Sequence, residues 1–390
     1  MPSAAFKKAL ASIEKKCANV IQDVDVAGKT ERLTLDSPRL NYLYGGGVAI
    51  GRIHRYFGPE SGGKSTICTY IASQFQKHLK EQLGLDKPYC VYLDFERSFD
   101  AEHARELGLS TDSDHFIFIR PDDLESAAIA LEELIKTGEV ATVIFDSESM
   151  SSTRTVMEDA MGKANFGSGA KIMKDFCNRF AILCANYKTT MFIISQERAQ
   201  MAMMSHAIAV TGGYALKYAA STTNRVKKIE DLKEGSKLIG IHMLVRNYKN
   251  KTGIPNRQCE MDLHFKGGFD SNTEYVDFLK DFAEDDRLKP LCVASSAGYY
   301  KSEKYGWSYH GKASFMEVVL SGKLEGWEEI RKVVDEIIAN PIASDANNEN
   351  PEVSGESEAE KLAGKALTPA EETASDEDAA DSPPEIEDNE

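Results

Sequence analysis

The residues best suited to chemistry form one glycine-rich segment near the start of the chain. The run Gly58-Pro59-Glu60-Ser61-Gly62-Gly63-Lys64-Ser65 matches the pattern G-x-x-x-x-G-K-[ST] at every defined position. Glycines let backbone N–H groups turn toward phosphate oxygens, while lysine and serine supply a cation and a Mg²⁺ ligand. An apolar run precedes the motif and a helical pattern follows it. The segment therefore predicts a phosphate-binding loop in which Lys64 neutralises the β- and γ-phosphates and Ser65 ligates Mg²⁺.

Three further polar residues follow apolar runs that read as strands. Asp146 ends the run 142–146, and a carboxylate there suits the outer shell of a Mg²⁺ ion. Glu96 lies just beyond the run 90–94, where it is either a general base for an attacking water or an ordinary loop carboxylate. Gln196 follows the run 191–195 and is either a sensor of the γ-phosphate or a structural amide.

The elements that must position these residues alternate between two periodicities. Short β-rich runs are separated by helical patterns, which is typical of an α/β fold with a largely parallel sheet. The runs are Ile53–Phe57, Cys90–Asp94, Phe116–Ile119, Thr142–Asp146, Met191–Ser195 and Ile241–Val245, and the helical patterns are Ser65–Leu79, Leu124–Thr137 and Ile172–Tyr187. Sites in such sheets form at the carboxyl ends of the strands.

The charge of the chain is concentrated at its end. The net charge is −16, but residues 341–390 contain 16 acidic residues and 2 lysines and so carry −14. The preceding 340 residues have 46 acidic and 44 basic groups, a net charge of −2, which permits basic surfaces for nucleic acid. Residues 341–390 also lack aromatic side chains, and this composition predicts a disordered acidic tail that either competes with a polyanion for basic surface or aids solubility.

The pattern predicts four parts: an N-terminal oligomerisation helix and linker at 1–34, a core at 35–271, a small domain at 272–340 and the tail at 341–390. Apolar residues spaced 3 and 4 apart over residues 4–21 indicate an amphipathic helix. This helix either covers its own domain or docks on a neighbouring subunit. In the small domain, Phe315–Leu320 and Leu324–Ile338 read as helices.

Membrane and secreted classes are not expected. No apolar run approaches the roughly 18 residues of a membrane span, and no secretory signal is evident. Seven cysteines without a CxxC pair read as reduced thiols without a zinc site. The chain is therefore predicted to be cytoplasmic.

Several segments together resemble the RecA family of recombinases, including its phage UvsX-type members. The resemblance runs from about residue 4 to residue 340. It rests on Gly51-Arg52-Ile53 with the phosphate loop, Leu93-Asp94-Phe95-Glu96, Phe145-Asp146-Ser147, Ser195-Gln196-Glu197-Arg198, Thr211-Gly212-Gly213 with Ala215-Leu216-Lys217-Tyr218, and Lys249-Asn250-Lys251.

The resemblance implies a RecA-like P-loop ATPase core with a mostly parallel central sheet, an N-terminal helix and a small C-terminal α+β domain. It implies a DNA-dependent ATPase, with ATP and Mg²⁺ as cofactors, that forms a helical filament on single-stranded DNA. Strand exchange would use homologous double-stranded DNA in recombination and repair. Further implied partners are other copies of the chain, a single-strand binding protein and a recombination mediator.

The resemblance also assigns roles to residues. Phosphate binding would fall to Gly58, Pro59, Glu60, Ser61, Gly62, Gly63, Lys64, Ser65 and Thr66. Glu96 would be the catalytic base, Gln196 the switch between ATP and DNA, and Asp100 and His103 neighbours of the ribose and adenine. Lys217, Lys249 and Lys251 would approach ATP on the adjacent subunit, in the manner of an arginine finger supplied in trans.

Two loops, at about 157–170 and 197–213, would contact DNA. The candidates are Phe166, Lys171, Arg198, Met201, Gly212 and Gly213, since DNA-binding loops need backbone N–H groups, cations and apolar wedges. Without the resemblance, these segments read as surface loops. The chain departs from the family pattern at His103, which replaces an aromatic residue, and at Lys171, which replaces an arginine.

Two other functions fit parts of the pattern. A hexameric helicase of the same fold would ordinarily carry an accessory domain and an arginine finger, whereas here 50 residues precede the alternating pattern that starts at Gly51 and the candidate trans cations are lysines. A regulatory ATP-binding scaffold would not need Glu96 or the two loops.

Overall fold

One large β-sheet organises most of the chain. The computed structural model describes residues 3–16, 30–158, 168–199, 208–210 and 213–340. Within these residues, nine strands form the sheet, in the order β11-β10-β9-β3-β7-β6-β4-β5 with β8 paired to β7. Their bounds are β3 Ile53–Gly58, β4 Tyr89–Asp94, β5 Phe116–Ile119, β6 Val140–Asp146, β7 Thr190–Ala199, β8 Ile208–Val210, β9 Thr222–Glu234, β10 Lys237–Asn250 and β11 Gln258–His264.

The centre of the sheet is parallel and buried on both faces. Strands β9, β3, β7, β6, β4 and β5 pair in parallel, and every residue of β3 and β6 is buried. Because side chains alternate across a strand, Val143 and Phe145 enter one core while Ile144 enters the other. The fold class predicted from the sequence is confirmed.

Helices cover both faces of the sheet. On one face, α3 (Lys64–Leu83) contributes Ile67, Ile71 and Phe75 to the core. On the other, α5 (Leu124–Lys136) and α7 (Ser168–Tyr187) pack against each other and bury residues such as Leu131 and Phe180. The remaining elements of this part are β1 Arg32–Leu33, α2 Pro38–Tyr44, β2 Val48–Ala49, α4 Ala101–Glu106, α6 Arg154–Glu158 and α8 Gly213–Ala219.

An antiparallel ribbon extends one side of the sheet. Strand β9 pairs with β10, and β10 pairs with the edge strand β11. The predicted run Ile241–Val245 is only the middle of β10, which spans 14 residues. Residues 227–238 of the ribbon are mostly exposed and alternate in charge, so they carry little of the apolar pattern from which a strand is predicted.

The C-terminal part has its own apolar cluster. It contains α9 Ser271–Asp281, β12 Val293–Ala294, β13 Tyr299–Ser302, β14 Trp307–His310, α10 Lys312–Leu320 and α11 Trp327–Ala339. The rings of Tyr300 and Phe315 stack 4.4 Å apart at the centre of this cluster. The two predicted helices correspond to α10 and α11, while α9 and the three strands were not predicted individually.

The first helix, α1 (Ala4–Lys16), begins where the amphipathic pattern begins. Its predicted continuation to residue 21 lies outside the described residues, as does the predicted tail at 341–390. Phe6 and Ile13 on α1 are 55% and 40% exposed, so their apolar surface is available in the single chain. Among the helices that the structure describes, none is long and apolar enough to cross a membrane.

Candidate nucleotide site

The predicted phosphate loop joins β3 to the amino end of α3. At Gly58, φ is +152°, and a Cβ atom there would lie 2.0 Å from the carbonyl oxygen of Val226. Gly63 precedes α3 with φ +90°, in the left-handed region. Both positions therefore require glycine. The loop curls over the amino end of α3, where unpaired N–H groups and the helix dipole favour an anion.

Lys64 is held inside this loop. Its side chain is 8% exposed, and Nζ donates a hydrogen bond to the Pro59 carbonyl oxygen at 2.6 Å. Burial lowers the pKa of Lys64, and the negative charges of Asp146 and Glu96 oppose that shift. The ammonium group is thus kept near the cavity of the loop, where a phosphate can replace the carbonyl as its partner.

Ser65 and Asp146 meet at the adjoining ends of α3 and β6. The Ser65 hydroxyl donates to Asp146 Oδ2 at 2.6 Å, and the Tyr92 hydroxyl donates to the same oxygen at 2.7 Å. Asp146 is 1% exposed, and burial raises the pKa of its carboxyl group. Among the described residues, its Oδ1 has no hydrogen-bond partner. A hydroxyl beside a buried carboxylate with a free oxygen fits the oxygen ligands that Mg²⁺ prefers.

Glu96 lies at the same edge, directly after β4. The backbone N–H groups of Phe95 and Glu96 donate to the Asp146 carbonyl oxygen at 2.7 and 3.2 Å, which fixes the start of this loop to the end of β6. Partial burial raises the pKa of the Glu96 carboxyl group, and the nearby charge of Asp146 raises it further. A carboxylate with raised proton affinity next to the phosphate loop can act as a base.

An ion pair between a buried carboxylate and a half-exposed arginine supports this edge and was not predicted. Asp94 is fully buried and accepts from Arg120 Nη2 at 2.9 Å and Nε at 3.2 Å. The other Asp94 oxygen accepts from the Ser98 N–H at 3.1 Å. The carboxylate therefore holds both the loop after β4 and the segment after β5. A charged residue at the end of an apolar run was the sequence signal for it.

Asp100 directly precedes α4, and His103 lies on it. Asp100 caps the helix, since its Oδ1 accepts from the N–H groups of Glu102 and His103 at 2.9 and 3.1 Å. The His103 ring is edge-on to the Phe265 ring, with centroids 6.2 Å apart. The two rings form a small aromatic surface at α4, and Phe265 was not among the predicted site residues.

Lys217, Lys249 and Lys251 lie together at the carboxyl end of α8. Lys249 Nζ donates to the carbonyl oxygen of Lys217, and Lys251 Nζ donates to that of Tyr218 at 2.7 Å. Burial, together with the positive charges of Lys251 and Lys217, lowers the pKa of Lys249 to about 8. The structure therefore brings the three predicted lysines into one cluster, in which Lys249 and Lys251 cap the last carbonyl groups of a helix.

The comparisons with known proteins match the part of the chain that contains these residues to a protein family. Residues 4–270 match the RecA N-terminal domain. The chain belongs to the RecA family. This confirms the family predicted from the sequence, whose members are DNA-dependent ATPases that act in recombination and repair, bind DNA and form filaments.

Individual relatives agree with the family. Protein RecA 2 of Myxococcus xanthus is 31% identical over 237 residues, which cover 60% of this chain and 63% of that protein, less than two thirds of its length. Protein RecA of Campylobacter jejuni is 32% identical over 276 residues, 70% of this chain and 75% of that protein. The mitochondrial DNA repair protein recA homolog 3 of Arabidopsis thaliana is 27% identical over 302 residues, which cover 76% of this chain and 66% of that protein.

Gln196 lies beside the phosphate loop of this RecA-family chain. It is paired in register with Gly58, and its backbone N–H donates to Ser149 Oγ at 2.9 Å. Strand β7 does not end before Gln196 but continues to Ala199, because Glu197–Ala199 pair with β8. The predicted second loop thus starts and ends in a short antiparallel pair.

The candidate DNA-binding residues are only partly within the described structure. Phe166, Met201 and Gly212 lie outside the described residues, and nothing is described of the Arg198 side chain. Lys171 is exposed in the first turn of α7, and Gly213 is the first residue of α8. Their contacts with DNA stay predictions.

Proposed function

We propose that this RecA-family chain polymerises on single-stranded DNA with ATP and Mg²⁺ and exchanges strands with homologous double-stranded DNA. The observation that carries the proposal is the arrangement of Lys64, Ser65 and Asp146 around the phosphate loop, with Glu96 at the same edge of the sheet. The proposed division of the chain is the one predicted from its sequence, with limits at residues 34, 271 and 340.

Within one subunit, the loop residues 58–66 would hold the phosphates through backbone N–H groups and the Lys64 ammonium group. Ser65 and Asp146 would hold Mg²⁺ directly or through water. A bound Mg²⁺ would supply positive charge that offsets the negative charge developing on the phosphate. Glu96 would orient water and accept its proton at the carboxylate. Asp100 and His103 would flank the ribose and adenine.

Between subunits, Lys217, Lys249 and Lys251 would face the nucleotide of the adjacent copy. Three clustered cations, one with a lowered pKa, form a surface that gains stability when a polyanion approaches. Gln196 would report the γ-phosphate to the second loop because its strand is paired with the strand that begins the phosphate loop. The exposed apolar face of α1 would dock on a neighbouring subunit.

Electron microscopy of the full-length chain with single-stranded DNA and ATP tests the proposal. A recombinase gives helical filaments on the DNA, a helicase gives closed rings, and a regulatory scaffold gives neither. The matched sample is Lys64→Ala, which removes a phosphate-binding charge and is expected to give no filament under the same conditions. Strand exchange is then scored with a homologous and a heterologous duplex, of which only the first should react.

A further inference from the structure

Two charged residues next to the proposed site form a pair that the proposed chemistry does not use. Arg225 on β9 binds Glu197 on β7 through both arms of its guanidinium group, at 2.9 Å from Nε and 2.8 Å from Nη2. The two side chains are 24% and 14% exposed. A bidentate arginine–carboxylate pair fixes direction as well as distance, and partial burial reduces its screening by salt.

The pair spans the strand that begins the phosphate loop. Strand β3 lies between β7 and β9, with Phe57 paired to Arg225 and Gly58 paired to Gln196. The carbonyl of Val226, the residue after Arg225, is so close to Gly58 that no Cβ fits there. Because these two backbones are in close contact, a shift of Arg225 along β9 would push Val226 against Gly58 and so displace the phosphate loop.

Through Tyr248, Arg225 is also connected to Lys249, one of the lysines proposed to face the nucleotide of the adjacent subunit. The Tyr248 side chain interacts with Arg225 and lies next to Lys249 in β10. The Tyr248 ring also lies 6.0 Å from the Phe57 ring and 4.9 Å from the Arg246 guanidinium group. Arg225 thus contacts one residue adjacent to Gln196 and another adjacent to Lys249.

We propose that Arg225, through its bidentate pair with Glu197, is a positioning residue that couples the nucleotide site to the second DNA loop. Glu197 directly follows Gln196 in β7 and lies at the base of that loop, paired with Val210 on its returning strand β8. The pair holds this base in one register relative to β3 and β9. A displacement of the phosphate loop would then move Glu197, the residue at which the second DNA loop begins. The inference rests on the proposed function.

The quantity to measure is the coupling factor, defined as the ratio of single-stranded DNA affinity with a slowly hydrolysed ATP analogue to that without nucleotide. Fluorescence anisotropy with a labelled oligothymidylate gives both affinities for the full-length chain. Arg225→Lys keeps the charge but loses the planar fork, and Glu197→Gln keeps the shape but loses the charge. Since allosteric coupling typically amounts to about 5–150-fold, each variant is expected to lower the factor by at least about fivefold.

A matched control exists elsewhere in the chain. Arg179 on α7 also binds a glutamate, Glu132 on α5, through Nε at 2.7 Å and Nη2 at 2.8 Å, but this pair joins two helices rather than two strands of the sheet. Arg179→Lys and Glu132→Gln should leave the coupling factor unchanged. Thermal unfolding of all variants separates a general loss of stability from a loss of coupling.

The double variant decides whether the two residues act as one link. Arg225→Lys combined with Glu197→Gln should be no worse than either single change, because both break the same pair. The swapped pair, Glu197→Arg with Arg225→Glu, should recover part of the factor. A factor within about twofold of wild type in both single variants, or an equal loss in the Arg179 control, overturns the inference. A wild-type chain whose DNA binding ignores ATP refutes the proposed function itself, and this inference with it.

Discussion

The lowered pKa of Lys249 predicts a specific pH dependence of the ATPase reaction. Its folded-state pKa is about 8, against an ordinary value of 10.5, so the ammonium group loses its proton as pH rises through 8. At pKa 8 the side chain is roughly nine-tenths protonated at pH 7 and one-tenth at pH 9. If only the charged form assists the neighbouring nucleotide, kcat/KM for DNA-dependent ATP hydrolysis should fall by about tenfold over this interval.

The assay compares wild type with Lys249→Arg between pH 6.5 and 9.5, at constant ionic strength and saturating single-stranded DNA. Arginine stays protonated throughout, so the variant should keep a flat profile across pH 8 even if its absolute rate is lower. Using kcat/KM matters because it reports groups in the free enzyme, whereas bound nucleotide raises the pKa of a nearby cation. An equally steep decline in Lys249→Arg, or a flat profile in wild type, would refute the assignment.

The remaining predictions concern hydrolysis, subunit communication and the acidic tail. Glu96→Gln should bind ATP and DNA but hydrolyse about 10²–10⁴-fold more slowly, as loss of a general base implies; single-turnover kinetics measure this, and wild-type turnover would place the base elsewhere. Lys64→Ala mixed with the double variant Lys249→Ala/Lys251→Ala should recover partial ATPase activity, since some interfaces then combine an intact loop with intact lysines; an inactive mixture that still co-assembles on DNA contradicts this. Deletion of 341–390, which removes a charge of −14, should strengthen duplex DNA binding in a salt series, and equal affinity throughout would leave the tail a solubilising role.

The sequence predicts the buried centre of the fold well because burial on both faces leaves a clear signal. The predicted run Ile53–Phe57 lies within β3, and the predicted Thr142–Asp146 lies within β6. The phosphate loop is predicted equally well from the sequence, because close backbone contacts at Gly58 and a positive φ at Gly63 require glycine there. Such features are local, so residues near in sequence are sufficient to indicate them.

The rest depends on contacts between distant segments. Arg225 and Glu197 are 28 residues apart, and only the insertion of β3 between their strands brings them together. Likewise, nothing in the sequence around Arg120 indicates that it pairs with Asp94. The ribbon of β9 and β10 is exposed and charged over much of its length, so its strands form by pairing with each other rather than by an apolar pattern.

The lysine cluster at the end of α8 has a consequence for how an isolated chain differs from an assembled one. Lys249 and Lys251 currently donate to the last carbonyl groups of a helix that follows the second loop directly. An ammonium group directed at a neighbour's phosphate must turn away from those carbonyls. If the lysines act in trans, assembly of two subunits therefore breaks these hydrogen bonds. The last turn of α8 then loses the side chains that cap it. The lysines thus stabilise the end of α8 in the free chain and release it when a neighbour that carries nucleotide binds.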